Sequence, residues 1–208
     1  MKRKLFLIVM VYILAFSFAA SGAEKKSDEL KRMGIFISNF TEQGFYNFDI
    51  YEDGDEDMLH LGDPSNMGEL IRFGIAHSVI NRPKTILKCT RRNCDYGSST
   101  ITGKVVAENV SKYFNMDIKN QSVMGDAPET FYDGESYHFE PKQWRPETVY
   151  YADVQNVSRE GRSIIMTGEL YNLHRKSERP ATFTAEARPY KWGKDNTWSI
   201  ISLRVEWR

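Results

Sequence analysis

Thr182-Phe183-Thr184-Ala185-Glu186-Ala187-Arg188 and Ile201-Ser202-Leu203-Arg204-Val205-Glu206-Trp207 alternate residue by residue between apolar or small and polar side chains. That period of two is the pattern of a β-strand with one face covered. Two further runs between Glu147 and Arg208 behave in the same way. Thr148 to Val157 places Tyr150, Ala152 and Val154 on one face and Asp153 and Gln155 on the other. Arg162 to Leu173 sets Ile164, Met166 and Leu170 against Thr167 and Glu169. Ser158–Gly161 and Gly193-Lys194-Asp195-Asn196 supply short polar turns. The C-terminal third therefore reads as a four-stranded antiparallel meander, with strands at 148–157, 162–173, 182–192 and 198–207. Each strand has one apolar face that other elements must cover. Helical segments upstream are the cover, so the expected class is α+β.

The strongest helical signal runs from Asn66 to Asn81. Asn66 stands at a capping position with Glu69 three residues on, and Arg82-Pro83 ends the pattern. At 100° per residue, Met67, Leu70, Phe73, Gly74, His77 and Ile80 share a face, and Ile71, Ile75 and Val79 widen it. Such a helix is buried on most sides. Gly74 lowers helix propensity by about 1 kcal/mol, so close approach of another backbone is its expected reason. Thr102 to Phe114 reads as a second helix. Glu24 to Arg32 can begin another, whereas the glycines near Ile35–Tyr46 argue against one long helix there. Thr130 to Phe139 reads as a hairpin around Asp133-Gly134.

Residues 1–23 read as a signal peptide. Lys2, Arg3 and Lys4 precede an uncharged run from Leu5 to Ala20, and Ser21-Gly22-Ala23 offers small residues before a cleavage point at Glu24. The run is shorter than the ~20 residues a spanning helix needs. Removing these residues leaves 25 basic against 28 acidic side chains, a net charge of −3. That balance argues against a nucleic-acid binder. Residues 24–208 are long enough for one α+β domain, with a helical half at 24–126 and a β half at 127–208. The expected location is periplasmic or extracellular, with no membrane span after cleavage.

Candidate sites are few. Cys89 and Cys94 are the only cysteines, and export predicts a disulfide between them. A metal site on this pair would need other ligands, and no histidine lies nearby in sequence. Asp53, Asp55 and Asp57 alternate as calcium ligands do, but Met58 and Pro64 occupy the sixth and twelfth loop positions, where glycine and glutamate belong. No metal and no other cofactor is expected. His77 is the one candidate acid–base residue, opposed by the reading of a hydrogen-bonded core histidine. Tyr150, Tyr171 and Trp192 head the aromatic residues of the β half, which serve either as core or as a ligand groove. Asn39, Asn109, Asn120 and Asn156 open N-glycosylation triplets, and Asn109 falls inside a helix.

Ile37-Ser38-Asn39-Phe40-Thr41-Glu42 and Leu70-Ile71-Arg72-Phe73-Gly74-Ile75-Ala76-His77 resemble a group of uncharacterised exported bacterial proteins. Helices followed by a meander ending in Trp198-Ser199-Ile200-Ile201-Ser202 also resemble the cystatin-like and nuclear-transport-factor-two-like folds. Those folds host enzymes, inhibitors and adaptors, so the resemblance implies an architecture and no activity. The chain lacks a Gly-x-Ser-x-Gly elbow, a Gly-rich phosphate loop and a His-Glu-x-x-His helix. The expectation is an exported non-enzymatic binding module for a peptide, glycan or envelope protein. The alternatives are a small pocket hydrolase or isomerase using His77, and a structural envelope protein.

Overall fold

The computed structural model describes residues 27–51, 56–90, 94, 96–125 and 128–208. The leader, the cleavage point at Glu24, and Asp53 and Asp55 lie outside the described residues. In chain order the elements are α1 (27–41), β1 (Phe48–Asp49), β2 (Leu59–His60), α2 (Met67–Asn81), β3 (Leu87–Lys88), β4 (Ser99–Thr102) and α3 (Gly103–Phe114). There follow β5 (Phe131–Tyr132), β6 (Ser136–Phe139), β7 (Tyr150–Glu160), β8 (Ser163–Asn172), β9 (Ala181–Trp192) and β10 (Asp195–Trp207). The class is mixed α+β. Among the described residues no helix is long and apolar enough to cross a membrane.

The large sheet has six strands rather than four, in the order β2-β1-β10-β9-β8-β7. The four long strands pair antiparallel, while β1 lies antiparallel to β10 and parallel to β2, so the sheet is mixed. A second sheet of four short strands has the order β3-β4-β6-β5. Strands β1–β4 thus fall within the stretch expected to be helical, where they are too short to show a period of two.

Alternation decides which face of the large sheet is covered. Ile164, Met166 and Leu170 of β8 and Phe183, Ala185 and Ala187 of β9 are buried. In β10 the register with β9 shifts between Ile200 and Ser202. This bulge breaks the period, so Ile200 joins Leu203 and Val205 in the core under the helices, and Trp207 stays half exposed. The sequence alternation had placed Ile201, not Ile200, on that face.

One continuous helix spans 27–41 and runs through Gly34, although the glycines of this stretch argue against one long helix. A Cβ on Gly34 would stand 2.9 Å from the Ala152 carbonyl oxygen, so the glycine serves a close approach of α1 to β7. The helix stops before Gly44, whose φ is +74°. Ser38 Oγ accepts from the Ala152 N–H at 3.0 Å, and Thr41 Oγ1 donates to the Tyr150 carbonyl at 2.8 Å. These bonds satisfy backbone groups on the outer edge of β7 and fasten α1 along it.

The two sheets share α2. Leu70 and Phe73 face the large sheet, packed with Phe40, Phe48 and Phe114. Ile71, Ile75 and Val79 face the second sheet, packed with Ile101, Tyr137, Phe139 and Trp144. That double burial explains the broad apolar surface of this helix. Asn66 precedes α2 without a side-chain cap, contrary to expectation; its amide donates instead to the His60 carbonyl at 2.8 Å. Asp63 caps the short turn before it by accepting from Ser65 N–H. Gly74 meets α3, where an added Cβ would lie 2.7 Å from Val106 Cγ1 and 2.8 Å from the Val106 carbonyl oxygen. Beside this contact the Asn109 amide donates to the Gly74 carbonyl and to Ser78 Oγ, both at 2.8 Å. Arg82 Nη1 donates to Asn109 Oδ1 at 2.9 Å. Asn109 is only 1% exposed, so its triplet is closed to a glycan in the folded chain.

Gly74→Ala tests the helix contact. Alanine is the better helix former by about 1 kcal/mol, but overpacking against the Val106 carbonyl costs about 1–3 kcal/mol. Urea unfolding is expected to show net destabilisation. A more stable variant would show that α2 and α3 are not in backbone contact.

Candidate ligand cleft

Helix α1 and the edge strand β7 line a cleft of about 580 Å³. Its wall on the helix side carries Lys31, Gly34, Ser38 and Glu42, and its wall on the sheet side carries Tyr151, Asp153, Val154 and Tyr171. Tyr151 and Tyr171 are cross-strand partners, with ring centroids 5.9 Å apart. The Arg179 guanidinium lies 5.2 Å over the Tyr171 ring and 3.7 Å from Asp153 Oδ2. This corner of the molecule therefore already holds one cation between an aromatic face and a carboxylate.

Glu42 is the chemically distinctive group of the cleft. It is 6% exposed, and burial raises its carboxyl above the ordinary glutamate value, partly offset by a hydrogen bond from Asn81. The Asn81 amide donates to Glu42 Oε1 and also faces His77 Nδ1 at 3.2 Å. With Asn81 as donor, His77 Nδ1 is the acceptor and the neutral ring carries its proton on Nε2. His77 itself is 3% exposed, stacked on Phe73 and set edge-on to Tyr113. Burial, with lesser effects of the Lys112 and Arg82 charges, lowers its pKa to about 3. It is thus a neutral core residue outside the cleft lining, joined to it by the contact with Asn81.

The other candidate residues are dispersed. Tyr171 lines the cleft. Tyr150 packs instead against Trp207, with ring centroids 5.2 Å apart. Trp192 lies at the far end of β9, in the turn to β10, where Asp195 is its strand partner. The structure does not bring these three together. Asp57 is described but Asp53 and Asp55 are not, and Asp49 from the same acidic run binds His60 Nδ1 at 3.1 Å and Tyr51 N–H at 3.0 Å. Cys89 and Cys94 are not joined to each other, contrary to the expected disulfide. The reason is long-range: both sulfurs turn toward the ring of His138, 49 and 44 residues away in sequence.

Sequence reasoning missed Glu42 and Asn81, whereas Tyr151 is one of the β-half aromatics that read as core or groove. Glu42 stands among the aromatics of Ile35–Tyr46, and Asn81 ends the helical pattern, so neither carries a local signal of the site. Comparison with protein-family models, with characterised proteins and with solved structures returned no match.

The neutral state of His77 fixes a sign for pH dependence. Below its unfolded pKa near 6.5 the unfolded chain takes a proton that the folded chain refuses down to about pH 3. Stability from this group is therefore complete above pH 6.5 and falls as pH drops toward 3, by up to about 1.4 kcal/mol per pH unit. His77→Gln is expected to flatten this slope in urea unfolding between pH 6.5 and 4.5. His77→Ala is expected to cost about 2–4 kcal/mol at neutral pH. An unchanged slope in His77→Gln would place the pH sensitivity elsewhere.

Proposed function

We propose that this protein is an exported binding module that takes an extended peptide along the outer edge of β7. The observation that carries this reading is the cleft itself, which follows an edge strand and ends on the buried carboxyl of Glu42. An edge strand offers main-chain groups in a row, and an extended peptide adds to them as a further strand. Ser38 and Thr41 already use the outward groups of Ala152 and Tyr150. Outward-facing groups recur on alternate residues, so Val154 is the next position along the cleft. Tyr151 and Tyr171 provide faces for a neighbouring side chain. Glu42 recognises a donor, best met by a lysine or arginine side chain, which would restore the desolvated carboxylate.

Export rests on the basic, apolar and small-residue order of residues 1–23. The architecture favoured for the module is a cystatin-like one, in which the helices pack on the meander β7–β10. The burial of His77 behind Asn81, outside the lining of the cleft, supports binding over a reaction at His77.

Calorimetry with extended hexapeptides, with and without a central lysine or arginine, tests this. Basic peptides are expected to bind, and Glu42→Gln or Tyr151→Ala to weaken them at least about tenfold, or ~1.4 kcal/mol. Thermal unfolding checks that both variants fold. Binding of short oligosaccharides in place of peptides, or peptide affinity untouched by both substitutions, would reject the reading.

A further inference from the structure

The second sheet assembles a group of side chains that the cleft does not use. Cys89 directly follows β3, and its N–H donates to the Ser98 carbonyl at 2.9 Å, continuing the pairing of β3 with β4. Cys94 is turned back by the Gly97 N–H, which donates to its carbonyl at 3.3 Å. Gly97 has a φ of +135°, and a Cβ there would stand 2.1 Å from the Phe139 carbonyl carbon. Only glycine lets this turn press so closely on β6. The result sets both sulfurs against His138 of β6, whose ring is buried at 3% exposure. His138 Nδ1 lies 3.6 Å from Cys89 Sγ and 3.2 Å from Cys94 Sγ, and all three atoms fall within 4.8 Å of one another.

These spacings are those of ligands around a common centre. A tetrahedral zinc ion with ordinary Zn–S and Zn–N bonds holds sulfur and nitrogen about 3.6 Å apart. The far side of the imidazole is prepared in the same sense. His138 Nε2 and Asp133 Oδ2 are 2.8 Å apart, and Asp133 Oδ1 accepts from the N–H groups of Glu135 and Ser136. A proton held on Nε2 by this carboxylate leaves the Nδ1 lone pair facing the two thiols, as in carboxylate–histidine–metal arrangements. Phe131 lies beside the histidine ring, with centroids 6.2 Å apart, and Tyr96 stacks on Phe131 at 4.4 Å, giving the site an apolar flank.

We propose that Cys89, Cys94 and His138 form a binding site for a thiophilic divalent metal of the zinc class. Asp133 is the residue that positions His138. Two thiolates and one imidazole supply three positions of a tetrahedron from the described residues, and a further donor completes the fourth. The short strands of the second sheet bury a modest core, and a metal joining the β3–β4 connection to β6 would fasten the sheet at its edge.

The test uses the full chain, purified under reducing conditions from zinc-supplemented cells. One equivalent of zinc per chain is expected by elemental analysis, released on thiol modification. Cobalt added to metal-free protein should give thiolate-to-cobalt charge-transfer absorption at one equivalent. Cys94→Ser and His138→Ala should each abolish that absorption. Asp133→Asn, which leaves all three ligands in place, should weaken zinc about 10- to 100-fold. Circular dichroism of the metal-free variants keeps loss of binding distinct from loss of folding. Fully reduced, folded protein that takes up neither zinc nor cobalt would overturn the proposal. So would a Cys89–Cys94 disulfide that, once reduced, still leaves both metals unbound, because the pair would then be a structural bond only.

Discussion

Burial of α2 from two directions is the constraint on which the rest of the molecule depends. A helix between two sheets cannot be amphipathic in the ordinary way, because it has two apolar stripes and little surface left for water. Leu70 and Phe73 fill one side and Ile71, Ile75 and Val79 the other. The remaining side meets α3 through Gly74, where no side chain fits. Buried polar groups along that seam are matched rather than avoided: the Asn109 amide bonds Gly74 and Ser78, and its carbonyl takes Arg82. A buried amide left with fewer partners would cost about 1–3 kcal/mol, so this set also fixes the register of α3 on α2.

The cleft inherits its chemistry from the same helix. Asn81 is the last residue of α2, and its amide faces Glu42 on one side and His77 on the other. Position along α2 thus decides how deep the Glu42 carboxyl lies and whether it has a partner there. On the opposite wall, Ser38 and Thr41 tie α1 to the edge of β7. The Cys89, Cys94 and His138 group stands on the other sheet, and α2 is the element common to both surroundings.

The α+β class was legible in the sequence because long strands and long helices carry their periods openly. In β8 and β9 the residues read as apolar-facing, such as Met166 and Ala185, are the buried ones. The reading failed where a local rule met a long-range cause. The glycines around Ile35–Tyr46 argue locally against a long helix, but at Gly34 Ala152 lies too close for any side chain. Ile201 was put in phase with Leu203, but a bulge shifts the strand. Strands of two residues, such as β1 and β2, have no period to read. Spacing and compartment of the cysteine pair point to a disulfide, and His138, 44 residues beyond Cys94, carries no local signal that it meets them. Glu42 is hidden for a related reason: nothing in its neighbours shows that Asn81 closes over it.

Packed against both sheets, α2 binds them into one cooperative unit, so that both sites rest on the same packing. Native-state hydrogen exchange tests it most directly, by comparing amides of Ile101 and Tyr137 in the second sheet with those of Met166 and Ala185 in the first. The slowest amides of both sheets are expected to open together, with equal free energies that fall equally with added urea. A second sheet that opens at distinctly lower free energy, while the first stays protected, would contradict it.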